Sequence, residues 1–150
     1  MTVLHDIPFE KLHEKLLGTT LETIGGFSEW LKHNPEYLPS AINLLVKGLN
    51  SSMASQATLG LKDLTRECQM EMKTYAEPIL EACQQTLLTG NLKHVQSVRL
   101  MYSIGRLMSM LPPERIPIFL DSIVSPLFEE LQIIVQNRNV SNYRVNEIFC

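Results

Sequence analysis

The chain has 150 residues, 45% of them hydrophobic and 19% charged, with a formal net charge of −3. That length suits one domain, and the excess of Leu and Met over β-branched residues favours helix over sheet. No block of Lys or Arg forms a stripe, and a phosphate backbone needs concentrated positive charge, so the composition argues against nucleic acid as a direct partner.

In chain order, residues 1–12 read as a lead-in. Met1 to Pro8 has neither a basic region nor an apolar core, so it does not read as a signal peptide. Residues 13–33 place Leu16, Leu17, Leu21, Ile24, Phe27 and Leu31 at spacings of three and four, which predicts a first A helix with one apolar face. Gly25-Gly26 inside it predicts a bend or a close approach of another helix. His33-Asn34-Pro35 ends that helix, and a first B helix is expected over 36–49. Trp30 is expected to pack against the turn between the two.

Gly48 and Asn50-Ser51-Ser52 separate this pair from a second A helix over 52–69, in which Ala54, Ala57, Leu61, Leu64 and Cys68 share a face. A second B helix is expected over 74–89. Thr89-Gly90-Asn91 then stops it, with Gly90 free to take a left-handed conformation. The third A helix, 92–111, has Val95, Val98, Tyr102 and Leu111 on one face and Met101, Ile104 and Met108 on another. Apolar on two sides, it is expected to be the most deeply sandwiched. Pro112-Pro113 divides it from a third B helix over 113–136, in which Pro126 is expected to make a kink. Residues 138–150 lose the periodicity and are expected to be irregular.

Pro39, Pro78 and Pro117 recur every 39 residues. The same shift superposes Ala41, Leu80 and Phe119, and also Leu49, Leu88 and Leu127. The A helices prefer a shift of 37 between the first two units, which brings Leu17 onto Ala54 and Ile24 onto Leu61. A period near 40 residues with two helices per unit is the signature of a HEAT-type repeat. The expected fold is therefore all-α, an α-α superhelix of about three antiparallel helix pairs spanning 13–50, 52–89 and 92–137. Each B helix should open with a loose or 3₁₀ turn before its proline. Solenoid ends without polar capping repeats expose apolar faces, which predicts marginal stability or self-association.

Reactive chemistry is not evident. Four histidines include no HExxH pair, and phosphate-binding glycine loops and the nucleophile-elbow motif are missing, so no metal, cofactor or catalytic residue is assigned. Cys68, Cys83 and Cys150 lack CxxC spacing and read as small buried hydrophobes in a reducing compartment. The richest apolar stretch, 100–111, is interrupted by Arg106 and too short to span a bilayer, so no membrane is expected. Stacked helix pairs offer extended surface instead, which suits a protein partner.

The run Leu16-Leu17-Gly18-Thr19-Thr20-Leu21-Glu22-Thr23-Ile24-Gly25-Gly26-Phe27-Ser28-Glu29-Trp30-Leu31 resembles a central A helix of the importin-thirteen and transportin-SR branch of the importin-β receptors. His33-Asn34-Pro35-Glu36-Tyr37-Leu38, then Leu61 to Cys68, then Tyr75-Ala76 extend the likeness in order, and it covers roughly residues 8–136. The resemblance implies a segment of a much longer nuclear transport receptor acting in Ran-dependent protein import and export. Its partners would be protein cargo and, through the parent receptor, the Ran GTPase and nucleoporins. Shuttling between cytoplasm and nucleus, without enzymatic activity, follows from the same likeness. The family's main Ran contact lies in N-terminal repeats outside this stretch. B helices line the concave face in the family, so the implied partner-facing positions are Asn43 and Lys47, Glu81 and Gln85, and Asp121, Ser125 and Glu129. A static HEAT scaffold subunit holding a protein complex is the other reading.

Overall fold

A computed structural model describes the backbone over residues 13–149 and the side chains over 13–138. The expected lead-in over 1–12 lies outside the described residues. Helix is the only extended regular structure among them: α1 (Glu14–Gly26), α2 (Ser28–His33), α3 (Leu38–Leu49), α4 (Ala54–Glu67), α5 (Ala76–Leu88), α6 (His94–Met108) and α7 (Ile116–Phe149). The chain is an all-α, HEAT-type solenoid, as its period predicts. It divides into two compact units, 1–112 and 113–150.

The 39-residue ruler has a local cause. Pro39 and Pro117 are the second residues of α3 and α7, and Pro78 is the third of α5. A backbone N–H in the first turn has no intrahelical acceptor, so a proline there forfeits nothing and presets φ. Short 3₁₀ turns, Pro35–Tyr37 and Lys73–Tyr75, precede α3 and α5 as expected. Gly90 has φ +67° and ends the second B-type segment in the left-handed region. Pro126 lies inside α7 without ending it.

Four expectations need correction. The first A segment is two helices, broken at Phe27 (φ −97°, ψ 14°). Ser28 Oγ donates to Gly25 O, and this local bond holds the break. Leu16 and Phe27 are exposed, leaving Leu17, Leu21, Ile24 and Leu31 as the buried stripe. In α6 and the turn that follows it, only part of the two predicted stripes is buried: Val95, Val98, Met101 and Tyr102 face solvent, while Ile104 and Leu111 are buried together with Leu100, Ser103 and Leu107, which the prediction left out. That helix uses one narrow face at spacings of four and three and is not sandwiched. Of the two 39-residue columns, Ala41, Leu80 and Phe119 are all buried, whereas Leu88 and Leu127 are exposed and only Leu49 is not. Lastly, 138–149 continues α7 rather than becoming irregular. No Gly or Pro interrupts that stretch, so nothing in it breaks a helix.

Within the first unit each helix touches its neighbours in a repeating pattern. A-type helices stack in the order α1, α4, α6, and B-type helices α3 and α5 lie beside one another and against the following A-type helix. Glycines set the closest crossing. A Cβ on Gly60 would stand 2.7 Å from Leu45 Cδ2 and 2.9 Å from Leu21 O, and one on Gly25 would stand 3.1 Å from Gly60 Cα. The bare backbones let α1, α3 and α4 meet without space for a side chain. Leu21, Leu45, Leu61 and Leu64 fill the core around this crossing.

Candidate functional site

The implied partner-facing residues fall on the outer rows of the B-type helices because the inner rows are already committed. On α3, Leu38, Ala41, Ile42, Leu44, Leu45, Gly48 and Leu49 are buried, which leaves Asn43 and Lys47, one helical turn apart, in solvent. On α5, Ala76, Ile79, Leu80, Cys83 and Thr86 are buried, and Glu81 and Gln85 repeat the exposed pair. The first unit therefore carries two neighbouring helices, each with a polar pair at i, i+4. In the second unit Asp121 and Glu129 are exposed, and Ser125 is half-buried with its hydroxyl donating to Asp121 Oδ1 at 2.9 Å. That bond ties two of the candidate side chains to each other.

Two clefts lie in the first unit, one at the ends of the B-type helices and the other between A-type helices. One, of about 380 Å³, is lined by Leu49, Asn50, Ser51, Ala54, Thr86, Thr89, Asn91 and Leu92. Thr86 Oγ1 donates across it to Asn50 Oδ1 at 3.3 Å, joining the ends of two successive B-type helices. The other, of about 400 Å³, lies between α1 and α4 and is lined by Glu14, Lys15, Gly18, Thr19, Glu22, Met53 and Gln56. Both are small and mixed in polarity, suited to seating single side chains of a protein partner. Sequence patterning missed them because each forms between helices, a property of packing and not of spacing along one helix.

Structural roles account for the remaining candidates. Trp30 lies with its ring centroid 5.4 Å from that of Tyr37, in the turn where it was expected. Cys68 and Cys83 are free and buried, and Cys150 lies outside the described residues. The Cys68 thiol donates to Ser28 O at 3.1 Å. Burial, reinforced by Glu71 and Glu67, pushes that thiol up to about 11, and burial alone pushes Cys83 up to about 12. Thiols held protonated in this way are poor nucleophiles and poor metal ligands. The described residues contain no group of three or more His, Cys, Asp or Glu placed to hold a metal ion, and none of their helices is long and apolar enough to cross a membrane.

The end of α4 and the end of α6 are joined by polar side chains that spacing did not reveal. Arg106 Nη2 donates to Gln69 Oε1 at 2.7 Å, and Gln69 Nε2 donates to Ser109 Oγ at 3.1 Å. Above them Arg99 Nη1 reaches Ser55 O at 3.3 Å. Lys62 Nζ stands 5.7 Å from the centroid of the Tyr102 ring, a cation–π contact between the same two helices. These links fix the stacking of A-type helices from which the B-type rows take their register.

Comparison with known proteins follows the same repeats. Residues 4–82 match the family model described as the Transportin-3/Importin-13 third TPR domain. Importin-13 of Homo sapiens and of Bos taurus are each 33% identical over 119 residues, covering 79% of this chain and 12% of theirs. Importin-13 of Gallus gallus is 31% identical over the same length. A solved structure described as Importin13 cytosolic state superposes with a TM-score of 0.85 at 62% identity, over 91% of this chain and 16% of that one. The chain thus spans about an eighth of the length of these relatives.

Proposed function

Because the chain belongs to the transportin-3/importin-13 family, we propose that it is a segment of a nuclear transport receptor, acting without enzymatic chemistry in Ran-dependent protein import and export. Its contribution is solenoid surface. The A-type stack is architectural, and the exposed rows Asn43/Lys47 and Glu81/Gln85 face protein cargo; the second unit, taken by itself, offers Asp121, Ser125 and Glu129. Ran and nucleoporins engage the longer receptor, which shuttles between cytoplasm and nucleus. The observation that carries this reading is the superposition on the solved importin-13 over 91% of the chain. The repeated polar pairs on neighbouring B-type helices support the cargo-facing assignment, because a solenoid binds through many weak contacts distributed along one layer.

The test is site-specific photo-crosslinking from Gln85 and Asn43 in the full receptor, with and without Ran bound to a non-hydrolysable GTP analogue. Crosslinks to a protein ligand that disappear when Ran-GTP is added are the expected result. Crosslinks indifferent to Ran-GTP would turn the reading toward a static scaffold. Residues 1–150 alone should not retain Ran-GTP with the affinity of the full receptor, and full-affinity capture would overturn the placement of this segment.

A further inference from the structure

The seam between α4 and α6 gathers positive charge in a chain whose net charge is −3. Arg99 Nη1 reaches from α6 to Ser55 O at 3.3 Å and Ser55 Oγ at 3.5 Å. Lys62 Nζ reaches from α4 to within 5.7 Å of the Tyr102 ring centroid, and Arg106 Nη2 reaches back to Gln69 Oε1. The contacts climb both helices in the same order, so α4 and α6 run parallel. Ser55, Lys62 and Gln69 follow at steps of seven residues, and so do Arg99 and Arg106. Seven residues make about two helical turns, which keeps all these side chains on one line. Both walls belong to the first unit and touch each other, so the make-up of the seam does not depend on what precedes or follows these helices.

Every partner on that line is neutral. Among the described residues Lys62, Arg99 and Arg106 form no ion pair with a carboxylate, Glu71 included. Asp63 and Glu67 of α4 are engaged with Arg66, and Asp63 is turned toward α1, its Oδ2 3.3 Å from where a Gly25 Cβ would stand. A guanidinium carries five N–H donors. Arg106 leaves its Nε buried without a partner, and Arg99 uses Nη1 alone. The three cations are half-buried beside a Tyr102 that is 40% exposed, and charges withdrawn from water in this way are screened less by salt. We propose that the seam is an interaction surface for an extended acidic segment of a protein, whose Asp and Glu side chains pair with Arg99, Lys62 and Arg106. The two arginines are separated by about 10.5 Å along α6. An extended chain covers that distance in about three residues, so carboxylates three or four positions apart fit the spacing. A nucleic acid needs a broader positive field than three cations supply. The proposal does not rest on the transport reading, and it gives the A-type layer a partner of its own.

Fluorescence anisotropy of the 150-residue chain with a labelled peptide, glutamate at every third position and Gly and Ser between, tests it. The expected result is binding that weakens as salt is raised and is lost when the glutamates are replaced by glutamine. Lys62→Glu should raise Kd about fivefold or more, and Arg99→Gln should act in the same direction. Lys32→Gln, which removes an exposed charge at the end of α2, should leave Kd unchanged. Circular dichroism checks that helix content is kept; if Arg99→Gln loses it, Lys62→Gln replaces it, since Lys62 contributes only its contact with the Tyr102 ring. Equal binding of the glutamine peptide overturns the proposal, as does equal weakening by Lys32→Gln. So does an oligothymidine of matched charge that binds more tightly than the glutamate peptide, which would mark the seam as a reader of phosphate.

Discussion

Cys68 and Cys83 show how single residues in this chain serve packing where they could have served chemistry. Both thiols are raised from the ordinary 9.0, to about 11 and about 12. The unfolded chain therefore loses its thiol protons first as pH rises, so the native state binds more protons between about pH 9 and 11 and stability falls across that window. Below pH 9 both states keep the proton and the contribution is constant. In a Cys150→Ser background, urea midpoints should drop as pH climbs above about 9, more steeply than in the same chain carrying Cys68→Ala and Cys83→Ala. Identical slopes would mean that the thiols are accessible in the native state. Arg106 supplies a second case. Its Nε and Glu71 Oε2 are buried without hydrogen-bond partners, so the Nη2 bond to Gln69 carries most of the compensation. Gln69→Ala should destabilise by about 1–2 kcal/mol, because a half-buried guanidinium loses a charge-assisted bond. A denaturation midpoint unchanged from wild type would reassign Arg106 to solvent.

At the scale of the element, the glycine crossing separates two kinds of glycine that look alike in the sequence. Gly60→Ala forces a methyl to within 2.9 Å of the Leu21 carbonyl oxygen, which is backbone and cannot step aside. Overpacking of this kind costs about 1–3 kcal/mol, exceeding the roughly 1 kcal/mol that alanine gains in helix propensity, so thermal denaturation should show a loss. Gly105 sits mid-helix in α6 with nothing within 4 Å of its would-be Cβ. Gly105→Ala should therefore raise stability by about 0.5–1 kcal/mol, and a loss there would contradict the open space around it. The same contrast explains how much of the fold was legible. Proline period, the alternation of A-type and B-type segments and the Ala41/Leu80/Phe119 column came through because they depend on local backbone rules repeated in each unit. Which stripe of α6 is buried did not come through. Val95, Val98 and Tyr102 satisfy helical spacing as well as Leu100, Ile104 and Leu107 do, and only the neighbours of α6 choose between two apolar faces. The exposure of Asn43, Lys47, Glu81 and Gln85 was legible by subtraction, as polar positions left over from a core. The Asn50/Thr86 cleft and the Gln69/Arg106/Ser109 link join residues 36 or more apart, and no periodicity encodes such pairings.

The whole molecule inherits its mechanics from nearest-neighbour stacking. Each helix of the first unit is held by the ones beside it, so local stability should follow position in the stack. Helix α4 is the interior element: it touches α1, α2, α3 and α6, and seven of its fourteen residues are buried. Among the described residues helix α1 lies at one end of that contact chain and leaves Leu16 and Phe27 at its border in solvent. Opening α1 breaks its contacts with α3 and α4, whereas opening α4 breaks those with α1, α2, α3 and α6 and with them the core of the unit. Native-state hydrogen exchange read by mass spectrometry should accordingly show slowest exchange in peptides covering Ala54–Glu67, intermediate exchange in Leu38–Leu49, and earlier exchange in Glu14–Gly26. The ordering should persist in Gly105→Ala, which strengthens α6 without touching the crossing, and should flatten in Gly60→Ala, which loosens the centre. Uniform protection across all three helices would mean that the first unit opens only as a whole, and that the energy of stacking is shared globally and not passed from neighbour to neighbour.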